Sequence, residues 1–369
     1  MFGAYISREG EAKLHEYKYS GSDASLIFKY LVSPLSAYIV NYLPKTLAPN
    51  VITLFAFFLV VLSHILVVGM DGGGWRYVVS GCIYFCYLVL DSMDGKQARR
   101  IGASSPVGLL LDHGCDALVT VMMTLNLQVV LAFNAEVQLS WICLTFAVPI
   151  VTFFFATWEE LFVGTLDLPI VGVNEATFFM IAVHFYQAVH PGFMTENSGI
   201  FDLPLNQLVT CGFLVLAIIV IGNGIANVAR LNKERSIWNA LSTTIPFLLT
   251  IVIGLGWTLI SADHISKTRL SLHSVLWLVG ICFSKLVTHM QIAHISKDKF
   301  APWRKTLFVP IVLFTGNHFL HAVDDSLCLA LSLSVAFISW AHLVFCTFSQ
   351  MLRILNLSFL TVAPKPKSK

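Results

Sequence analysis

The chain has 369 residues, 56% of them hydrophobic and only 12% charged, with a mean hydropathy of +0.76, which excludes an ordinary soluble globular protein and predicts a polytopic membrane protein. The formal net charge is only +2, and the basic residues stand beside apolar runs instead of forming one face, so no nucleic-acid partner is expected. All eight cysteines fall inside apolar runs, which argues against both a disulfide framework and a zinc cluster.

The first 44 residues mix charges and aromatics with no continuous apolar core. No cleavable signal peptide is expected, and the first span should act as the insertion signal. From Leu26 to Val40 apolar groups recur at helical spacing, predicting a helix that lies in the membrane interface. Asn50, in Ala48-Pro49-Asn50, stands at cap distance from the next helix.

Apolar runs long enough to span, roughly 17 to 25 residues, fall at 51–70, 75–93, 107–133, 138–156, 175–191, 207–228, 239–262, 270–293, 306–322 and 326–352. The predicted fold is therefore an all-α polytopic membrane protein of about ten transmembrane helices preceded by an N-terminal interfacial helix. With the N-terminus inside, 19 of the Lys and Arg residues lie on the inner side against three outside, and Lys285 lies within a span. That bias predicts cytosolic termini. Lys96 to Arg100 should form a basic loop after the second span, with the turn at Gly102 to Pro106. Thr157-Trp158-Glu159-Glu160 should open a loop ending near Asn174-Glu175, with the Glu pair facing either the basic cluster or solvent. Lys285, His289 and His294 share one helix, Lys285 either snorkelling or holding a buried partner. Gly222, Gly224, Gly254 and Gly256 suit close helix packing. The segment from Pro364 to Lys369 is short and basic.

Four carboxylates, Asp91, Asp94, Asp112 and Asp116, interrupt the second and third apolar runs. Ionisable groups beside a bilayer core are costly and mark function. The spacing of three puts Asp91 and Asp94 on one helix face, and the spacing of four does the same for Asp112 and Asp116. Two helices joined by a turn can aim both pairs at one point. Four hard oxygen donors suit Mg2+, Mn2+ or Ca2+, and are enough for two bridged ions. Gly95 and Gly108 permit close approach of a ligand to the backbone, and Arg99 offers a planar fork for phosphate oxygens. Together these residues describe a pyrophosphate site.

The pattern Asp91-x-x-Asp94-Gly95-x-x-Ala98-Arg99, eight residues, Gly108-x-x-x-Asp112-x-x-x-Asp116 resembles the signature of the CDP-alcohol phosphotransferase family at every defining position. Lys96-Gln97-Ala98-Arg99-Arg100, Asp112-His113-Gly114-Cys115-Asp116, Tyr17-Lys18-Tyr19-Ser20-Gly21, Ala48-Pro49-Asn50, Thr157-Trp158-Glu159-Glu160 and Ala293-His294 are similar to its eukaryotic choline/ethanolamine phosphotransferases, over nearly the full chain. The resemblance implies two Mg2+ or Mn2+ ions held by Asp91, Asp94, Asp112 and Asp116, substrate contacts from Asn50, Gly95, Arg99 and Gly108, and His113 as general base. His113 also fits a hydrogen-bonding role toward Asp112 or Asp116. Relatives usually read Gly-Glu-Leu-Phe where this chain reads Gly108-Leu109-Leu110-Leu111, so Leu109 cannot orient or assist the histidine.

The implied reaction joins CDP-choline or CDP-ethanolamine to diacylglycerol in the lipid bilayer, releasing CMP. The implied enzyme is an endoplasmic reticulum or Golgi homodimer with its site toward the cytosol. The expected organisation is an interfacial segment at 1–50, catalytic helices at 51–228, additional helices at 229–355 and a basic tail at 356–369. The alternatives are a phosphatidyltransferase using CDP-diacylglycerol, which is usually about half this length, and a cation-coupled transporter, which would predict two symmetric halves.

Overall fold

The computed structural model describes residues 4–231, 236–260, 269–320 and 322–362; Lys233, Arg235, Lys267 and the basic segment from Pro364 to Lys369 lie outside the described residues. The N-terminal segment holds a short helix, α1 (Arg8–Leu14), capped by Ser7, whose hydroxyl accepts from the Gly10 amide. The chain then winds through a wide, π-type turn at Phe28–Val32 into α2 (Ser33–Val40). The long helices follow: α3 (Pro49–Val68), α4 (Trp75–Ile101), α5 (Pro106–Val130), α6 (Leu139–Val163), α7 (Val173–Val189) and α8 (Leu205–Leu231). The second half holds α9 (Ile237–Ser242), α10 (Ile245–Ile260), α11 (Arg269–Ser296), α12 (Lys305–Leu320) and α13 (Asp325–Leu355).

Among the described residues every predicted span is largely helical, and the protein is an all-α polytopic membrane protein. Among the described residues eight helical segments are long and apolar enough to cross, α9 and α10 counting together. The other two, α7 and α12, have 17 and 16 residues, short of the roughly 20 that a hydrocarbon core of about 30 Å needs.

Three local expectations are corrected. Lys96 to Arg100 are not a loop, because α4 continues through them to Ile101 and stops at Gly102, in the left-handed region at φ 68°. Thr157 to Glu160 do not open a loop either, since α6 runs on to Val163. Asn50 is no cap: Ala48 occupies that position, and Asn50 lies inside the first turn of α3. Of the four glycines singled out for packing, Gly254 and Gly224 are tightly enclosed, by Val279 and Glu159, whereas Gly222 and Gly256 face open space.

Two apolar cores share α5. Ala117, Val121 and Leu125 pack toward α6, α10 and α11, and Val119, Met122 and Leu127 pack toward α3, α4 and α7. Beyond Asp116 the helix is largely apolar on both of these faces, as burial against neighbours on two sides requires. α11 is the other central element, packed against α5, α6, α10 and α13, with 94% of its apolar window buried. A two-stranded parallel pair, β1 (Gly21–Asp23) with β2 (Leu166–Leu168), ties the N-terminal segment to the chain just beyond α6. That tie brings Tyr17 to the end of the bundle where the carboxylates lie.

Candidate active site

The turn between α4 and α5 sets the site. Gly102 closes α4, with the Ala103 amide donating to the Ala98 carbonyl at 2.8 Å, a common way to satisfy carbonyls left over at a helix end. Ser105 opens α5 as its cap, accepting from the Gly108 amide at 3.2 Å, and Pro106 takes the first helical position. The chain therefore reverses between the two helices, and both pack against α3 more than against each other, which aims their acidic faces at one point.

Asp91, Asp112 and Asp116 converge there, each offering a carboxylate oxygen within 4.8 Å of the others. Asp94, one turn along from Asp91, instead accepts a short hydrogen bond from the Thr53 hydroxyl of α3. The Tyr87 hydroxyl of α4 donates to Asp116 Oδ1 at 2.5 Å. No motif in the sequence marks Thr53 or Tyr87; the packing of α3, α4 and α5 brings them to Asp94 and Asp116.

The donor set fits a hard divalent ion. Three carboxylates face one another without a basic residue paired to them among the described residues, and Asp112 Oδ1 is buried with no hydrogen-bond partner. Like charges at that separation repel unless a cation or protons intervene, and an all-oxygen set suits Mg2+, Mn2+ or Ca2+.

The residues expected to contact substrate surround this cluster. A Cβ added at Gly95 would stand 3.4 Å from an Arg99 guanidinium nitrogen, and one at Gly108 would stand 3.5 Å from Asn50 Oδ1. Arg99 thus lies over Gly95, one turn from Asp94, and Asn50 faces Gly108 across the α3–α5 contact. The Asn50 side chain also donates to the Phe359 carbonyl at 2.9 Å, so the segment after α13 passes beside the site.

His113 is buried and stands between Asp112 and Asp116 in the sequence, and its ring also reaches α6. Its Nδ1 lies 3.6 Å from Glu160 Oε2 of α6, just beyond hydrogen-bond reach. Glu160 is 1% exposed. Gln291 of α11 donates to Glu160 Oε2 at 2.7 Å, and His294 Nε2 lies 3.8 Å from Oε1. The Tyr17 hydroxyl contacts His294 Nε2 at 3.3 Å. Burial, and after it the Glu160 carboxylate, raises the Tyr17 phenol above its ordinary value of 10.0, so it stays protonated and can donate to the imidazole.

The carboxylate beside His113 is thus contributed by α6. Leu109, where relatives usually carry Glu, packs instead into an apolar cluster with Val107, Leu110 and Ile292. The signal in the sequence was Thr157-Trp158-Glu159-Glu160, but spacing alone does not say which Glu turns inward. Trp158 decides it: its indole is buried and donates to the Ala240 carbonyl at 3.2 Å. Glu159 instead accepts from Asn227 of α8 at 2.8 Å.

Comparison with known proteins places these observations in a family. The sequence profile described as CDP-alcohol phosphatidyltransferase matches residues 46–219, a stretch that contains the acidic helix pair and Glu160. Choline/ethanolaminephosphotransferase 1 of Arabidopsis thaliana is 32% identical over 319 residues, covering 80% of this chain and 79% of that protein. Cholinephosphotransferase 1 of Xenopus laevis is 26% identical over 350 residues, 90% of this chain and 84% of its own length. An uncharacterized CDP-alcohol phosphatidyltransferase class-I family protein of Dictyostelium discoideum is 27% identical over 381 residues, 99% of this chain and 97% of that protein.

Proposed function

The chain belongs to the CDP-alcohol phosphatidyltransferase family, and from that premise we propose that it transfers phosphocholine, phosphoethanolamine or both from the CDP-alcohol to diacylglycerol. The products are phosphatidylcholine or phosphatidylethanolamine and CMP. The observation that carries this reading is the meeting of the Asp91, Asp112 and Asp116 cluster with a buried histidine and carboxylate, His113 and Glu160. Similarity to choline/ethanolaminephosphotransferases along most of the chain supports the choice of substrates.

In this reading Asp91, Asp94, Asp112 and Asp116 would hold two Mg2+ or Mn2+ ions. Bound there, the ions supply positive charge that offsets the pyrophosphate and the departing CMP. Arg99, over the side-chain-free surface of Gly95, steadies phosphate oxygens as a planar donor. Asn50 and Gly108 line the approach of the nucleotide. The lipid hydroxyl oxygen forms a bond to the phosphorus that carries the amino alcohol, and the bond from that phosphorus to the oxygen bridging to CMP breaks. The hydroxyl proton passes to His113 Nε2, a role open to an imidazole near neutral pH.

Glu160 is a positioning residue: its carboxylate orients the imidazole through Nδ1 and stabilises the charge that the ring gains. Gln291 holds that carboxylate in place. The site stands at an end of the bundle, so a soluble nucleotide can enter from water while the lipid arrives laterally. The charge bias of the sequence supports a cytosolic site, and the family supports the endoplasmic reticulum or Golgi and a homodimer.

Purified protein supplied with diacylglycerol and Mg2+ or Mn2+ should release CMP from CDP-choline or CDP-ethanolamine, and competition between the two defines the headgroup. Absence of CMP release from both, with turnover of CDP-diacylglycerol, overturns the reading in favour of phosphatidyl transfer.

A further inference from the structure

α11 carries polar side chains on two opposite faces. Gln291 and His294 turn toward Glu160, whereas Lys285 and His289, one turn apart, point the other way, as about 100° of rotation per residue requires. Lys285 is 4% exposed and yet, among the described residues, pairs with no carboxylate. Its ammonium donates to Thr306 Oγ1 of α12 at 2.6 Å and, at short range, to the Ser339 hydroxyl of α13. A buried ammonium without a counter-charge is costly, and two hydroxyls compensate its hydrogen bonds but not its charge.

Lys285 and His289 open into a cavity of about 730 Å3 whose wall also includes Tyr5, Arg304, Lys305 and His342. The Tyr5 hydroxyl is paired with His342 Nδ1 at 2.9 Å. Among the described residues no Asp or Glu lines this cavity, and Lys285, Arg304 and Lys305 form no ion pair with a carboxylate. Among the described residues the cavity is thus basic on one side with no carboxylate to offset it. None of the four aspartates, His113 or Glu160 lines it, so it is separate from the candidate active site.

A second, apolar groove of about 420 Å3 adjoins it, sharing Trp303, Arg304 and Lys305 and running along α12 past Phe308, Val309, Val312 and Leu313. Those four positions lie on one helix face, and Val309, Val312 and Leu313 are exposed. On a membrane-spanning bundle such a face meets acyl chains. A basic cavity opening onto an apolar groove has the chemistry of a charged lipid, head and tail together. We infer that this cavity and groove form a binding site for a phospholipid of net negative charge. Its phosphate lies among Lys285, Arg304 and Lys305, and one acyl chain lies along α12. A zwitterionic lipid brings its own cation into a pocket already rich in cations and is disfavoured.

The test is binding of spin-labelled lipid to the full chain in detergent micelles, comparing a phosphatidic acid analogue with a phosphatidylcholine analogue of the same chains. The wild-type protein should retain the anionic analogue about tenfold more strongly, the scale of one charge-assisted phosphate contact. Lys285→Met combined with Arg304→Gln should abolish that preference, and Leu313→Trp, which fills the groove and leaves the cations, should weaken retention of the anionic analogue. If the double variant is not monodisperse, Arg304→Gln alone, at a half-buried position, carries the same comparison. Equal retention of both lipids by the wild type, or a preference that survives removal of the cations, overturns the inference. So does displacement of the analogue by millimolar inorganic phosphate together with no effect of Leu313→Trp, which would assign the cavity to free phosphate.

Discussion

His113 Nδ1 lies 3.6 Å from Glu160 Oε2, joining α5 to α6 inside the protein. If Glu160 orients the imidazole, Glu160→Gln should lower kcat for CMP release by about a hundredfold, the lower range for an acid–base group, while the KM for the CDP-alcohol stays within about twofold. His113→Ala should remove most turnover with CDP-alcohol binding retained. Steady-state CMP release together with equilibrium binding of the CDP-alcohol separates the two effects, and near-normal turnover of His113→Ala would move the base elsewhere.

Asp91 and Asp112 approach each other from different helices. Asp91→Ala or Asp112→Ala should each abolish metal-dependent turnover, and calorimetric titration of Mn2+ into either variant should show loss of binding. Retained activity in either variant would sink the two-ion site.

Tyr17 contacts His294 Nε2 through its hydroxyl at 3.3 Å. Loss of that hydrogen bond in Tyr17→Phe should cost about 1 kcal/mol in kcat/KM, close to fivefold, and the ring should keep the N-terminal segment in place. Limited proteolysis near Gly21 reports the second point: faster cleavage would mean that the hydroxyl holds the segment itself.

Gly280 of α11 lies so close to α5 that an added Cβ would stand 2.7 Å from Val121 Cγ1. Gly280→Leu should therefore destabilise the bundle by about 1 to 3 kcal/mol, as overpacking does, read as a lower Tm in detergent. Gly256→Leu, facing open space, should leave Tm nearly unchanged and serves as the internal control.

Gly102 ends α4 at φ 68°. Gly102→Ala should cost about 1 kcal/mol, the penalty of a side chain in the left-handed region. Because this turn sets the approach of the two acidic helices, its Mn2+ affinity should fall with its Tm. Unchanged affinity would show that α3 and α11 fix the helices without the turn.

The sequence by itself determined the membrane class, the helical segments and the acidic faces of α4 and α5. Those properties are local: an apolar run long enough to span, carboxylates three and four residues apart, and Gly and Pro in the turn each constrain backbone within a few residues. Helix ends were less legible. α4 continues through Lys96 to Arg100, and α6 through Glu160, because packing against neighbouring helices extends a helix past the point where hydropathy falls. The tertiary structure alone decided which groups meet across helices: Thr53 with Asp94, Tyr87 with Asp116, Asn50 with Phe359, and Glu160 with His113. Side-chain pairs so far apart in the chain depend on helix rotation and depth, and spacing within one helix carries no information about either. Leu109 shows the difference. Its sequence neighbours left His113 without a carboxylate, and the packing of α6 against α5 and α11 supplies one from Glu160.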